Sequence, residues 1–454
     1  MTDEDGRPRF LVVGGGPAGN SAATTAASLG AKVTLVESSI VGGAAHLWDC
    51  IPSKTMVATS ARLDAVRQAA RLGLESRGAE VDLERLADRI AAITGNLEAG
   101  IVDLLASQGV EIIEGRGRFL DPHSAQAETE DGTRRIRFDT ALIATGSSPR
   151  VPEWAEPDGE RVLTTRQAYD LAELPEHLAI IGSGVTGVEF VHIFSSLGSQ
   201  VTLLVSRQQV LPHKDAEVAA VLEEDFLERG VTLLKGARAT AVKRTDGGVV
   251  VETGDGRRVE ATHALLAIGL VPLTEGLGLE EIGVKTEHGS VVVDDHQRTT
   301  VPHIYGAGDV TGQMPLSSVA AMQGRKIARH SLGYPVRPLD YRKVAQAIFT
   351  EPEIASVGLE EAEAASEGRK VRITKVPFAA NPRALIQGNP RGFVKVISDP
   401  ATHVMLGGTV VGHHASELIA PIALAVQAGL RVDTLVDTLL VHPSLSESLT
   451  DAAD

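Results

Sequence analysis

Residues 9–23, RFLVVGGGPAGNSAA, and residues 178–190, LAIIGSGVTGVEF, are near copies of each other. No other feature constrains the fold as tightly. Each copy runs from a short apolar stretch through G-x-G-x-x-G into a helical pattern, so each predicts a strand, a glycine turn and a helix. The turn glycines are Gly14, Gly16 and Gly19 in the first copy, and Gly182, Gly184 and Gly187 in the second. Glycine permits the tight turn and lets backbone N–H groups close on a pyrophosphate at the helix N-terminus. Pro17 and Ala18 open the first helix, Val185 and Thr186 the second, and both helices lead to another apolar strand, AKVTLVES and SQVTLLVSR. Two dinucleotides bound to one chain imply electrons passing between them.

A residue about twenty positions beyond the last glycine faces the adenosine ribose. In the first copy it is Glu37, whose carboxylate accepts from ribose hydroxyls and repels a 2′-phosphate. In the second copy the stretch is Val205, Ser206, Arg207, with no acid. A hydroxyl beside a guanidinium suits a 2′-phosphate, so NADPH is expected in preference to NADH, with either accepted. The bland alternative for Arg207 is a solvated surface arginine.

Two more strand ends extend the pattern. ALIATGSSPR, residues 141–150, ends at Thr145-Gly146, and HIYGAGDVTG, residues 303–312, carries Asp309 in a glycine turn. Ligands bind at the carboxyl edge of doubly wound sheets. Asp309 can hydrogen-bond a flavin ribitol or its phosphate side; its plain role is a turn or cap.

The expected fold class is α/β: two Rossmann-like FAD- and NAD(P)-binding domains followed by a C-terminal α+β domain. A chain of 454 residues has room for about three domains. Residues 1–149 and 272–340 would form the FAD-binding domain, 150–271 the NAD(P)-binding domain, and 341–454 the α+β domain. Pro149 and Pro152 mark the first boundary. The net charge of −16 and the 3% aromatic content argue against nucleic acid as a partner. No apolar run is expected to span a membrane. One cysteine excludes an internal disulfide and a cysteine-rich zinc site. A cytoplasmic protein without a metal is the expectation.

GGGPAG, GG-x7-IPSK, ATGSSP, GSGVTGVEF, GAGDV, FTEPEIASVG, GHHASELI and HPSLSE together resemble the pyridine nucleotide-disulfide oxidoreductase family, the group of dihydrolipoamide dehydrogenase and glutathione reductase. The resemblance runs along essentially the whole chain. It implies FAD, NADPH or NADH, makes residues 341–454 a dimerisation domain, and implies a homodimer in which each flavin site is completed by the partner's C-terminal domain. It also implies flavin contacts from Gly43, Ala44, Gly117, Ala144, Thr145, Gly146, Asp309 and Ser317, and places Gly269 at the nicotinamide nucleotide.

The family frame is GG-x-C-x4-C-x-P-x-K, two cysteines that relay electrons from flavin to a disulfide. Here the first position is Ala45 and the second is Cys50. Thiol–disulfide exchange needs a second thiol to resolve the mixed disulfide, and the chain has none. Electrons must then leave the flavin directly. Quinones accept them without a thiol, and some family members lacking the full pair are quinone reductases. The expected activity is hydride transfer from NAD(P)H to flavin and on to a quinone or similar acceptor. The same residues also fit a transhydrogenase, a single-cysteine disulfide or peroxide reductase, or a non-catalytic flavoprotein sensor.

By the resemblance, Lys54 lies near flavin N5 and pairs with Glu189, while His442 and Glu447 form an acid/base pair serving the partner's site. Cys50 is either an inert small residue packed on the flavin or a reactive thiolate. His46 and Trp48 line the acceptor pocket or simply pack locally. His413 and His414 read as structural.

Overall fold

The computed structural model of the chain describes residues 6–44 and 48–454. The chain divides into two compact units. The first gathers Met1–Ser53, Ala87–Arg150 and Gly269–Leu339; the second gathers Lys54–Leu86, Val151–Ile268 and Asp340–Asp454.

A five-stranded sheet forms the centre of the first unit, in the order Ile304–Gly306, Thr140–Ile143, Arg9–Val13, Lys32–Glu37, Glu111–Glu114. All of its pairings are parallel. Parallel strands are covered on both faces, which is why these segments read as apolar runs rather than alternations. Successive side chains feed opposite cores. Phe10, Val12, Leu35 and Leu142 join one apolar cluster, while Leu11, Val13, Val36 and Ile143 join the other. On the first face lie the helices Pro17–Ser28 and Ser317–Ser331. They meet through small residues: a side chain at Gly324 would come within 2.1 Å of the Ala18 carbonyl oxygen. On the other face a three-stranded antiparallel sheet, 116–137, packs Phe119 edge-on to Phe138 at 5.8 Å.

The second unit contains a matching parallel sheet, Thr232–Lys235, Gln200–Val205, His177–Ile181, His263–Leu266, Val162–Thr164. It also contains a five-stranded antiparallel sheet, Gln346–Ile348, Glu353–Gly358, Met405–Gly412, Phe393–Ser398, Arg372–Pro377, covered by the helices Ala415–Ala428 and Glu447–Ala453. Lys395, in a central strand and 1% exposed, has its ammonium among Asp215, Glu217 and Glu361. Burial works against that charge, but the surrounding acids outweigh it and raise the lysine's pKa.

One helix bears on the expectation that no apolar run spans a membrane. The 25-residue helix Leu83–Ser107 is long and apolar enough, by length and composition, to cross a membrane. Its apolar stretch is interrupted by Glu98 and Asp103. An acid at mid-bilayer opposes insertion by about 3 kcal/mol.

Candidate active site

The first glycine turn follows directly from the end of the strand Arg9–Val13. Gly14 has φ +105°, and a side chain there would stand 2.3 Å from the Ala144 carbonyl oxygen. A side chain at Gly19 would stand 1.9 Å from the Gly14 carbonyl oxygen. Gly16 caps the helix Pro17–Ser28, with proline in its first turn, where a missing N–H costs nothing. Gly43, at φ +74°, lies against Gly16 so closely that a side chain would meet its Cα at 2.5 Å. The result is a cradle of bare backbone at a helix N-terminus, which fits a pyrophosphate.

The other expected flavin contacts surround the same sheet edge. Glu37 ends its strand with Oε2 accepting from the Gly15 N–H at 2.6 Å and Oε1 accepting from Ser39 N–H at 2.8 Å. Its carboxylate is therefore fixed beside the turn. Asp309 Oδ2 accepts from Ser147 Oγ at 2.7 Å, and Thr145 Oγ1 donates to the Leu273 carbonyl at 2.6 Å. Gly146, at φ +72°, turns the chain between these two contacts. Gly117 packs behind the edge, where a side chain would meet Val13 at 2.8 Å. Cys50 begins the helix Cys50–Arg67, and its sulfur is 3.7 Å from Ser317 Oγ, itself the first residue of the helix Ser317–Ser331. Ala44 and Trp48 are half-buried; Ala45 and His46 lie outside the described residues.

The second glycine turn repeats the geometry in the second unit. Gly182, at φ +115°, would carry a side chain 2.2 Å from the Ala267 carbonyl, and Gly187 one 1.8 Å from the Gly182 carbonyl. Gly184, Val185 and Thr186 are exposed, so the helix N-terminus is open to a ligand. Ser206 and Arg207 follow the strand Gln200–Val205 and are also exposed. Gly269 is exposed at φ +99° with open space beside its Cα.

Lys54 Nζ and Glu189 Oε2 form an ion pair at 2.8 Å. Glu189 is held from its other side by the Phe349 N–H, which donates to Oε1 at 2.9 Å, and the lysine ammonium sits 4.8 Å from the centre of the Phe349 ring. Phe349 was not among the residues picked out from sequence; FTEPEIASVG marked its segment but not its role. His442 Nδ1 lies 2.7 Å from Glu447 Oε1, and Glu447 Oε2 accepts from the Ser444 N–H at 2.8 Å. That backbone donor, followed by His442, holds the Glu447 carboxyl below its usual range. The imidazole itself is 71% exposed. His413 bonds Glu351, and His414 caps the helix Ala415–Ala428.

The chain matches the family model described as pyridine nucleotide-disulphide oxidoreductase over residues 8–324, and that of the family's dimerisation domain over residues 344–453. It is 46% identical to a protein of Mycobacterium tuberculosis named NAD(P)H dehydrogenase (quinone), covering 98% of this chain and 93% of that one. It is 33% identical to the dihydrolipoyl dehydrogenase of Geobacillus stearothermophilus, covering 98% and 95%. The crystal structure of LpdA from Mycobacterium tuberculosis superposes with a TM-score of 0.94 at 45% identity, covering 98% and 99%.

Proposed function

The chain belongs to the pyridine nucleotide-disulphide oxidoreductase family and is an NAD(P)H-dependent flavoprotein oxidoreductase; we propose that its electron acceptor is a quinone or a similar molecule without a disulfide. One observation carries the reading. The frame that holds two cysteines in the family holds a single sulfur here, and that sulfur faces the hydroxyl of Ser317. A hydroxyl cannot resolve a mixed disulfide. The relative named NAD(P)H dehydrogenase (quinone) supports the same acceptor class.

Bound FAD would supply the redox chemistry that links the nicotinamide to the acceptor. The backbone cradle of Gly14, Gly16, Gly19 and Gly43, with Glu37 and Asp309, would hold it. Gly182, Gly184 and Gly187 would hold the nicotinamide nucleotide, with Ser206 and Arg207 favouring a 2′-phosphate. Residues 150–271 would be its domain. Lys54 places a positive charge where the electrons arrive, and Glu189 keeps that ammonium in position. His442 engages Glu447 through Nδ1, which leaves Nε2 to give or take a proton.

The dimerisation-domain match supports a homodimer. Leu439 and Val441, 99% and 77% exposed beside His442, are the apolar surface such a contact would cover. His442 would then serve the partner's site.

The test is rapid mixing of the FAD-loaded dimer. After reduction by NADPH, menadione should reoxidise the flavin in steady turnover, while glutathione disulfide and lipoamide should not. Brisk disulfide turnover with no response to menadione would overturn the reading.

A further inference from the structure

His192 is fully buried, and among the described residues neither of its ring nitrogens meets a hydrogen-bond partner. It lies in the helix Val185–Leu197, three residues after Glu189 and four before Ser196, so the three side chains share one face. At one end of this face Glu189 pairs with Lys54. At the other, Ser196 Oγ donates to Asp64 Oδ2 at 2.7 Å, and Arg229 Nη1 lies 2.6 Å from the same oxygen. Lys54 and Asp64 both belong to the helix Cys50–Arg67, which therefore runs alongside; Ser60 Oγ bonds the Ile193 carbonyl midway.

The segment 349–351 closes the third side. Phe349 N–H reaches Glu189, and Arg229 Nη2 donates to the Glu351 carbonyl at 3.2 Å. The Glu351 carboxylate meets His413 Nδ1 at 3.2 Å, and both of these side chains remain partly open to solvent. The charges acting on His192 are Arg229, Asp64 and Glu351, with Glu189 on its own helix and Arg62 acting on His413.

We propose that His192 binds internal water at both ring nitrogens and relays protons between the half-exposed Glu351–His413 pair and the Lys54–Glu189 pair. A buried polar atom without a protein partner is ordinarily met by ordered water. A neutral imidazole offers one donor and one acceptor, so it takes a proton on one nitrogen while releasing one from the other. Burial first, then Arg229, keeps the ring neutral, with its pKa lowered to about 4.

The chemistry requires such a supply, and this part rests on the quinone reading. NADPH, a quinone and one proton give NADP⁺ and the hydroquinone. The hydride carries both electrons and one proton; the second proton comes from solvent. The Lys54 ammonium donates it to the acceptor oxygen, and the relay reprotonates the lysine amine through Glu189.

The test uses the FAD-loaded dimer, with His192→Leu and His192→Gln beside it. A crystal structure of the unsubstituted protein should show ordered water at both His192 nitrogens. Reduced methyl viologen gives up one electron per molecule and no proton, so two-electron reduction of the bound flavin to its anion draws one proton from solvent, which an indicator dye follows. Proton uptake should be about tenfold slower in both variants, with the electron count unchanged and a larger solvent isotope effect on menadione turnover. If leucine prevents folding, the glutamine variant decides the matter. Dry ring nitrogens, or uptake at the unsubstituted rate in the variants, would overturn the relay. Water at the ring and slowed uptake in a protein that ignores menadione would leave the relay standing and remove the quinone reading alone.

Discussion

Lys54 Nζ and Glu189 Oε2 lie 2.8 Å apart, the glutamate almost sealed from solvent and the lysine about one-third open. The Phe349 N–H anchors Glu189 from its other side. Glu189→Gln keeps the Phe349 hydrogen bond and loses the charge. Flavin reduction by NADPH should slow at least about tenfold, a barrier increase of about 1.4 kcal/mol, with FAD content unchanged. Because the pair is partly solvated, stability should fall by no more than about 1 kcal/mol. Stopped-flow absorbance and a thermal melt read the two effects separately.

The two glycine turns should fail independently. Gly14→Ala forces a side chain to within 2.3 Å of the Ala144 carbonyl at φ +105°, and Gly182→Ala does the same to the Ala267 carbonyl at φ +115°. The first variant should purify largely without yellow colour. The second should retain FAD, while its KM for NADPH rises by about tenfold or more, a loss of about 1.4 kcal/mol. Flavin absorbance per chain and steady-state kinetics distinguish them.

Such local signals are what the sequence makes legible. A glycine turn is written in consecutive residues because the backbone geometry forbids anything else at Gly14 or Gly19. The Lys54–Glu189 pair crosses 135 positions, yet each partner sits inside its own recognisable motif, IPSK and GVEF. Nothing comparable marks His192, Asp64, Arg229 and Glu351. They come from four separate segments that only folding brings together, and a histidine flanked by Val191, Ile193 and Phe194 reads as core. Likewise Asp309 is legible as a turn aspartate, but its bond to Ser147, 162 positions away, is not.

Cys50 offers the sharpest check on direct electron transfer. Its sulfur touches Ser317 Oγ at 3.7 Å in a chain with no other cysteine. Cys50→Ser should leave menadione turnover within about tenfold of the unsubstituted protein, or about 1.4 kcal/mol in barrier. Loss of nearly all turnover would mean that the sulfur carries the electrons.

Arg207 is where the proposed preference for NADPH can be tested. It is exposed directly after the strand Gln200–Val205, beside Ser206 and without an acid nearby in sequence. Arg207→Ala should remove the proposed charge-assisted contact to a 2′-phosphate, a contribution of about 1.5–3 kcal/mol. The kcat/KM for NADPH should drop about tenfold or more, while that for NADH stays nearly constant. An equal fall for both nucleotides would make Arg207 a general surface residue.

Acid sensitivity should trace to the polar cluster around His192. Burial, then Arg229, lowers its pKa from 6.5 to about 4. Between those values the unfolded chain binds the proton and the folded one does not. The contribution is therefore fully present above pH 6.5 and is lost as pH falls toward 4, on the order of 3 kcal/mol in all. Asp64 adds to the same trend at lower pH. Burial opposes its carboxylate, but Arg229 and Ser196 outweigh that and hold its pKa down, so its contribution is lost as pH falls through the folded value. His413 runs the other way. Its bond to Glu351 raises its pKa despite burial, so its contribution is present below pH 6.5 and lost as pH rises through the folded value. His192→Leu cannot take up a proton in either state. Its melting temperature should therefore fall less than that of the unsubstituted protein between pH 7 and pH 5, as read by calorimetry at matched ionic strength; parallel curves would show that His192 is not the group titrating.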